Sequence, residues 1–163
     1  MNDRKLLGVA IAVALVFATG WLWGAAADAV PDRSQVSAGA PASVDGVEYR
    51  LRSMTSSERV TTGSNRQTVA VSGAVLILAE VDYDATGATG SVYCGFELVA
   101  GETTWDSEFG YYPPKGGSVS CAPGKTGTVS VLFEVPSGFL AQVQGVGVLN
   151  PGGSEPILLG RPG

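Results

Sequence analysis

Apolar and polar positions along this chain follow two regimes. The first has no alternation: LLGVAIAVALVFATGWLWGAAA, Leu6 to Ala27, is 22 residues without a charge. A helix that crosses a bilayer needs about 20 apolar residues, and a helix resting on a soluble core would show a polar face that this stretch lacks. The pattern predicts one N-terminal transmembrane helix. From Val44 the period changes to two. VEYRLR sets Val47, Tyr49 and Leu51 against Glu48, Arg50 and Arg52. AVLILAEVDYD puts Val75, Ile77, Ala79, Val81 and Tyr83 on one face, while its other face begins apolar with Leu76 and Leu78 and ends in Glu80, Asp82 and Asp84. SVYCGFELV aligns Val92, Cys94, Phe96 and Leu98, and TVSVLFEV aligns Val129, Val131, Phe133 and Val135. Alternation of this kind marks half-buried strands. The clusters between them, TGSN, ATGATG, PPKGG, APGKTG and PSG, are turn-forming. No helical period follows Ala27. The expected fold is all-β: an immunoglobulin-like antiparallel sandwich of about seven or eight strands.

The flanks of the apolar block orient it. Arg4 and Lys5 precede it, and Asp28 and Asp32 follow, so the positive-inside rule places the N-terminus in the cytoplasm and the remainder outside. Trp21 and Trp23 stand near the outer end, where interfacial tryptophans anchor spans. The predicted organisation is a cytoplasmic tail over 1–5, a transmembrane helix or signal anchor over 6–27, a flexible linker over 28–43 and an extracytoplasmic domain over 44–163. The competing reading is a signal peptide cut after Ala27, where GAAADA supplies the small residues required. Both readings export the domain. The linker DAVPDRSQVSAGAPAS is rich in Ala, Ser and Pro and has no apolar period.

The order AVLILAEVDYDATG, then CGFELVAGETTW, then CAPGKTGTVSVLFEVPSGF resembles a widespread bacterial family of exported immunoglobulin-like domains of unknown function. In that family a strand of the form vvvxvxvxNxg precedes an f-x-L-x-d-x-x-g segment and a late l-x-P-G-x-x-x-G-x-x-x-F-x-V-P. Pro123, Gly124, Gly127, Phe133, Val135 and Pro136 match the last element best, and the likeness covers roughly Val44 to Leu149. The family is related to the small secreted immunogenic proteins of mycobacteria, and the Gly-, Ala- and Val-rich composition is in keeping with an actinobacterium. The resemblance implies the fold and the export, and brings no activity and no catalytic residue. This chain departs from the pattern at Asp82–Asp84, where an Asn is common, and in its two cysteines.

Charge narrows the partners. Of 10 Lys+Arg and 15 Asp+Glu in the chain, only Asp3, Arg4 and Lys5 precede the predicted ectodomain, which leaves 8 and 14 beyond residue 27 and a net charge of −6. Such a surface repels phosphate backbones, so nucleic acid is not an expected partner. Cys94 and Cys121 both lie outside, where paired thiols oxidise, and one disulfide is expected, joining two strands inside the core. Histidine is absent from the sequence, which removes Ser-His-Asp and Cys-His catalysis and every histidine metal site. Gly124-Lys125-Thr126 lacks the upstream glycine of a phosphate loop, since Val119 stands there. DYDATG echoes the start of a calcium loop, but its twelfth position is Tyr93 and not a bidentate Glu. Asp106 and Glu108 flank an aromatic cluster and offer a glycosidase-like pair of carboxylates. No cofactor, metal or catalytic residue is predicted.

The remaining feature is WDSEFGYYPPKGG, in which Trp105, Phe109, Tyr111 and Tyr112 crowd beside two carboxylates and two prolines. These four residues form the candidate binding loop, because aromatic residues with a polar rim resemble interface centres. The bland alternative has Trp105 and Phe109 capping the open end of the sandwich beside the disulfide. The expected function is non-enzymatic: an envelope interaction module at the bacterial plasma membrane that binds a protein or a cell-wall component. The alternatives are an accessory subunit whose span contacts a membrane complex through Gly20 and Gly24, and a secreted ligand- or calcium-binding domain.

Overall fold

Asp45 and Gly46 both take left-handed backbone angles, φ 50° and 79°. Two consecutive positive φ values make the hairpin turn whose twist suits antiparallel strands, and Asp-Gly is the dipeptide that forms it readily. Around it β2 (Ala42–Val44) folds back on β3 (Val47–Ser57). The structure, a computed structural model, describes residues 33–63, 66–90, 92–108, 120–149 and 156–162. The chain divides into two compact units, Met1–Pro31 and Asp32–Gly163. Every described residue belongs to the second. The predicted helix over 6–27 therefore lies outside the described residues, among which no helix is long and apolar enough to cross a membrane.

The predicted linker over 28–43 ends earlier than its composition suggested. β1 (Ser34–Val36) falls within it and β2 begins in it, at Ala42. A two-residue hairpin turn at Asp45–Gly46 requires a strand in front of it, and Ala42 and Val44 supply one with both side chains buried. Ala/Ser/Pro-rich composition alone does not reveal such short pairings.

The other elements are β4 (Arg59–Thr61), β5 (Gln67–Val69), β6 (Ala74–Asp84), β7 (Gly95–Ala100), β8 (Thr103–Asp106), β9 (Thr126–Pro136), a short 3-10 helix (Ser137–Gln142), β10 (Val143–Leu149) and β11 (Ile157–Gly160). One sheet runs β1-β11-β10-β7-β8 and the second β2-β3-β6-β9, with β4 and β5 as a separate hairpin. Eleven strands thus stand among the described residues, against the seven or eight expected. The additions are mostly three- and four-residue pieces too short to show a period. All pairings are antiparallel except β1 with β11, which is parallel.

A single cluster lies between the two large sheets. Tyr49, Leu51, Ile77, Val81, Val129 and Phe133 come from one side, and Phe96, Leu98, Val146, Val148 and Leu159 from the other. The molecule is a β-sandwich. Each large side chain removed from water here contributes about 1.5–3 kcal/mol. The alternation in VEYRLR and TVSVLFEV assigns the inward faces correctly: Val47, Tyr49, Leu51, Val129, Val131, Phe133 and Val135 are all buried.

The apolar start of the outer face of β6 has its explanation in the β4–β5 hairpin. Leu76 and Leu132 form a second small cluster outside the sandwich, packed by Val60, Ala70 and Leu78. The hairpin folds over this end of the sheet, and beyond its reach the same face turns charged. On the other sheet Glu97 and Arg33 form an ion pair at 2.5 Å with side chains only 11% and 7% exposed. Glu97 lies across Gly147, where a Cβ would meet its Cγ at 2.9 Å, so that glycine is required by close approach.

Candidate functional site

Cys94 and Cys121 form a disulfide with their Cα atoms 5.7 Å apart. Neither cysteine is within a strand. Cys94 precedes β7 and Cys121 lies in the connection before β9, both half-buried against the core. The bridge therefore ties the entries to one strand of each sheet at one end of the sandwich, and the expected strand-to-strand bridge inside the core is corrected to this position. The strand predicted from Ser91 starts only at Gly95, since Val92 to Cys94 leave the ladder to reach the partner sulfur.

Beside the bridge the Tyr49 hydroxyl donates to the Tyr93 carbonyl at 3.0 Å. Burial, reinforced by the nearby Asp45 carboxylate, raises the Tyr49 pKa above 10.0. The Tyr83 hydroxyl accepts the Ala122 N–H at 3.3 Å and its ring covers Gly127, the residue opposite it on β9. Two tyrosines thus fasten the cysteine-bearing loops to the core. Tyr93 itself is 54% exposed.

Of the candidate binding loop, Trp105 alone is described. Phe109, Tyr111 and Tyr112 lie outside the described residues. Trp105 sits on β8 opposite Leu98, half-buried, packing against the core and meeting the Phe139 ring edge-on at 5.0 Å. This contact lies past the Pro136 end of β9, away from Cys121, and not beside the disulfide as the capping alternative had it. Asp106 and Glu108 are both exposed. Their carboxylates stand at the sheet margin and line none of the described cavities.

The described site that the sequence did not single out as one is a groove of about 370 Å³ on the outer face of β3, β6 and β9, lined by Glu48, Arg50, Asp82, Tyr83, Asp84, Thr126, Gly127 and Thr128. The strand register builds it in two rungs. Glu48, Asp84 and Thr126 form one, and Arg50, Asp82 and Thr128 the next. The charges are engaged unequally. The Thr128 hydroxyl donates to Asp82 at 2.6 Å, and Arg52, the extra residue at a register shift in β3, reaches the same carboxylate at 3.8 Å. The Thr86 hydroxyl and N–H donate to Asp84 at 2.6 and 2.9 Å, and these hydrogen bonds hold its carboxyl below the usual 3.8. The exposed side chains of Glu48 and Arg50 make no hydrogen bond or ion pair among the described residues. Glu48 also stands directly opposite Asp84, a like-charge pairing that weakens a sheet. Alternation in VEYRLR and EVDYD placed each residue on an outer face, but only the register aligns them.

Asp82 and Asp84 do share that face, as the calcium reading required. No group of three or more acidic, histidine or cysteine side chains that could hold a metal ion occurs among the described residues.

No protein-family model matches the chain, and no curated protein matches it. Among solved structures, it is similar to an uncharacterized β-sandwich protein from Clostridium difficile, with a TM-score of 0.48 and 15% identity over 79% of this chain and 95% of the other.

Proposed function

We propose that the domain is a non-enzymatic interaction module of the bacterial envelope, immunoglobulin-like in class, held outside the plasma membrane by residues 6–27. It engages a protein or a cell-wall component that carries cationic groups. The observation that carries this reading is the groove on β3, β6 and β9, in which Glu48 and Arg50 expose opposite charges that have no partner among the described residues. Rim charges of this kind select partners and speed association more than they add affinity. The Cys94–Cys121 bridge supports an oxidising compartment. Tyr93, exposed at the bridged end, offers an apolar surface of the kind that interface centres use. Because Trp105 is packed against Phe139, the contact surface is assigned to the groove and not to that ring.

The test is cross-linking capture from intact membranes with three proteins: wild type, a Glu48→Gln, Arg50→Gln variant, and a Tyr111→Ser, Tyr112→Ser variant. Both groove side chains are exposed, so the first variant keeps the fold. The groove variant should recover about tenfold less of the partner taken by wild type. Full recovery with the groove variant and loss with the tyrosine variant would move the contact away from the groove and defeat the proposal.

A further inference from the structure

The outer face of β3, β6 and β9 has two unlike halves. At the Leu76 and Leu132 end the β4–β5 hairpin lies over it and adds one layer, a step about 10 Å high. At the other end the same face drops back to the groove of Glu48, Asp82 and Asp84. Along β6 the two halves centre on Ile77 and Tyr83, about 20 Å apart. Glu80 stands midway between them.

The hairpin turns Val60 and Ala70 toward the sheet. Arg59 and Val69 are cross-strand partners, and paired residues share a face, so both stand on the side away from the sheet. Of the three large hydrophobic side chains exposed among the described residues, Val69 at 55% and Val71 at 65% stand here. Arg59 and Arg66 are exposed as well and make no ion pair among the described residues. Glu134, the acid nearest by register, is occupied, accepting the Val71 N–H at 2.5 Å. Glu58, Arg59 and Arg66 are the charges of residues 58–71, which sum to +1 in a region of net charge −6. The groove sets three carboxylates against the single Arg50.

One half of the face therefore projects, apolar and cationic, and the other half recedes and is acidic. A half-turn about an axis crossing the strands near Glu80 brings the step of one copy over the recess of another, and does the same in return. Such a self-complementary patch is what a two-fold dimer requires. The face spans strands of 11 residues and three to four strands, on the order of 600 Å² per copy. That is the lower bound for a specific interface, so the association is reversible. We propose that this face binds a second copy of the chain in a two-fold dimer, the β4–β5 hairpin of each seated in the β3–β6–β9 groove of the other. Arg59 of one copy then meets Glu48 of the other, Val69 and Val71 rest on the Thr126 and Thr128 methyl groups, and Glu58 offers Arg50 a carboxylate. The inference rests on the reading of the groove as a contact surface and names its partner.

The experiment is sedimentation velocity of the full chain in mild detergent at low salt, with circular dichroism confirming that each variant folds. Wild type should dimerise in the micromolar range. Arg59→Glu and Glu48→Lys, both at exposed positions, should each weaken dimerisation about a hundredfold. An equimolar mixture of the two variants should dimerise like wild type. In that mixed pair one hairpin meets one groove with both charges exchanged, and the other hairpin meets an unaltered groove. A dimer held by any other surface, residues 6–27 included, is indifferent to these changes. Single variants that still dimerise, a mixture that stays monomeric, or growth beyond a dimer each overturn the proposal. So does a wild type that remains monomeric at about 100 μM. If the Glu48→Gln, Arg50→Gln variant then still fails to capture a protein or wall component that wild type takes, the dimer is refuted and the groove reading stands.

Discussion

Replacing both cysteines, Cys94→Ser with Cys121→Ser, probes how much of the stability comes from one covalent link between the two sheets. The bridge spans a sequence separation of 27. Closing a loop of that size in the unfolded chain removes configurational entropy equivalent to about 3–4 kcal/mol at 25 °C. Both cysteines are half-buried at the sandwich end, so lost packing adds little and the estimate rests on the unfolded state. For a domain of about 130 residues each kcal/mol moves the midpoint by roughly 3–5 °C, so the double variant should melt about 10–15 °C lower. Urea denaturation of the full chain, followed by tryptophan fluorescence and circular dichroism, measures the difference. The variant should keep the wild-type circular dichroism before its transition. A double variant within about 1 kcal/mol of wild type would show that the loops are already held together without the bridge, and the entropic reasoning would fail. A variant that has lost its sheet signal in buffer would show the opposite error, that the bridge is needed to form the core.

Glu97→Ala leaves the Arg33 guanidinium buried without its carboxylate, and a loss of about 3–5 kcal/mol in urea denaturation is expected, with Glu97→Gln costing less. Tyr49 should ionise above 10.0 in an ultraviolet pH titration. Its raised value means that its contribution to stability is complete below the unfolded-state pKa and is lost as pH rises through the folded one, so Tyr49→Phe should flatten the alkaline limb of the stability curve. Thr86→Val removes one hydrogen bond to Asp84, and an NMR titration should show that carboxyl moving up toward 3.8. The corresponding wild-type stabilisation is present above the unfolded-state pKa and fades as pH falls through the folded value.

The alternation of Val47, Tyr49 and Leu51, of Ile77, Ala79, Val81 and Tyr83, and of Val129, Val131, Phe133 and Val135 determined the all-β class and the inward faces. A side chain's face in a strand depends on parity alone, which is local information. The cysteine pairing was legible because a chain with two cysteines has one way to bridge them within itself. The short strands were hidden because three residues hold no period, although Asp45–Gly46 did mark the β2–β3 hairpin. Tertiary structure decided the rest. It made Leu76 and Leu78 an outer cluster by laying β4–β5 over them, and it put Trp105 against Phe139. It also aligned Glu48 with Asp84 and Arg50 with Asp82. Such neighbours are set by strand register and by sheets closing over one another. Those are relations between residues tens of positions apart, and no local pattern encodes them.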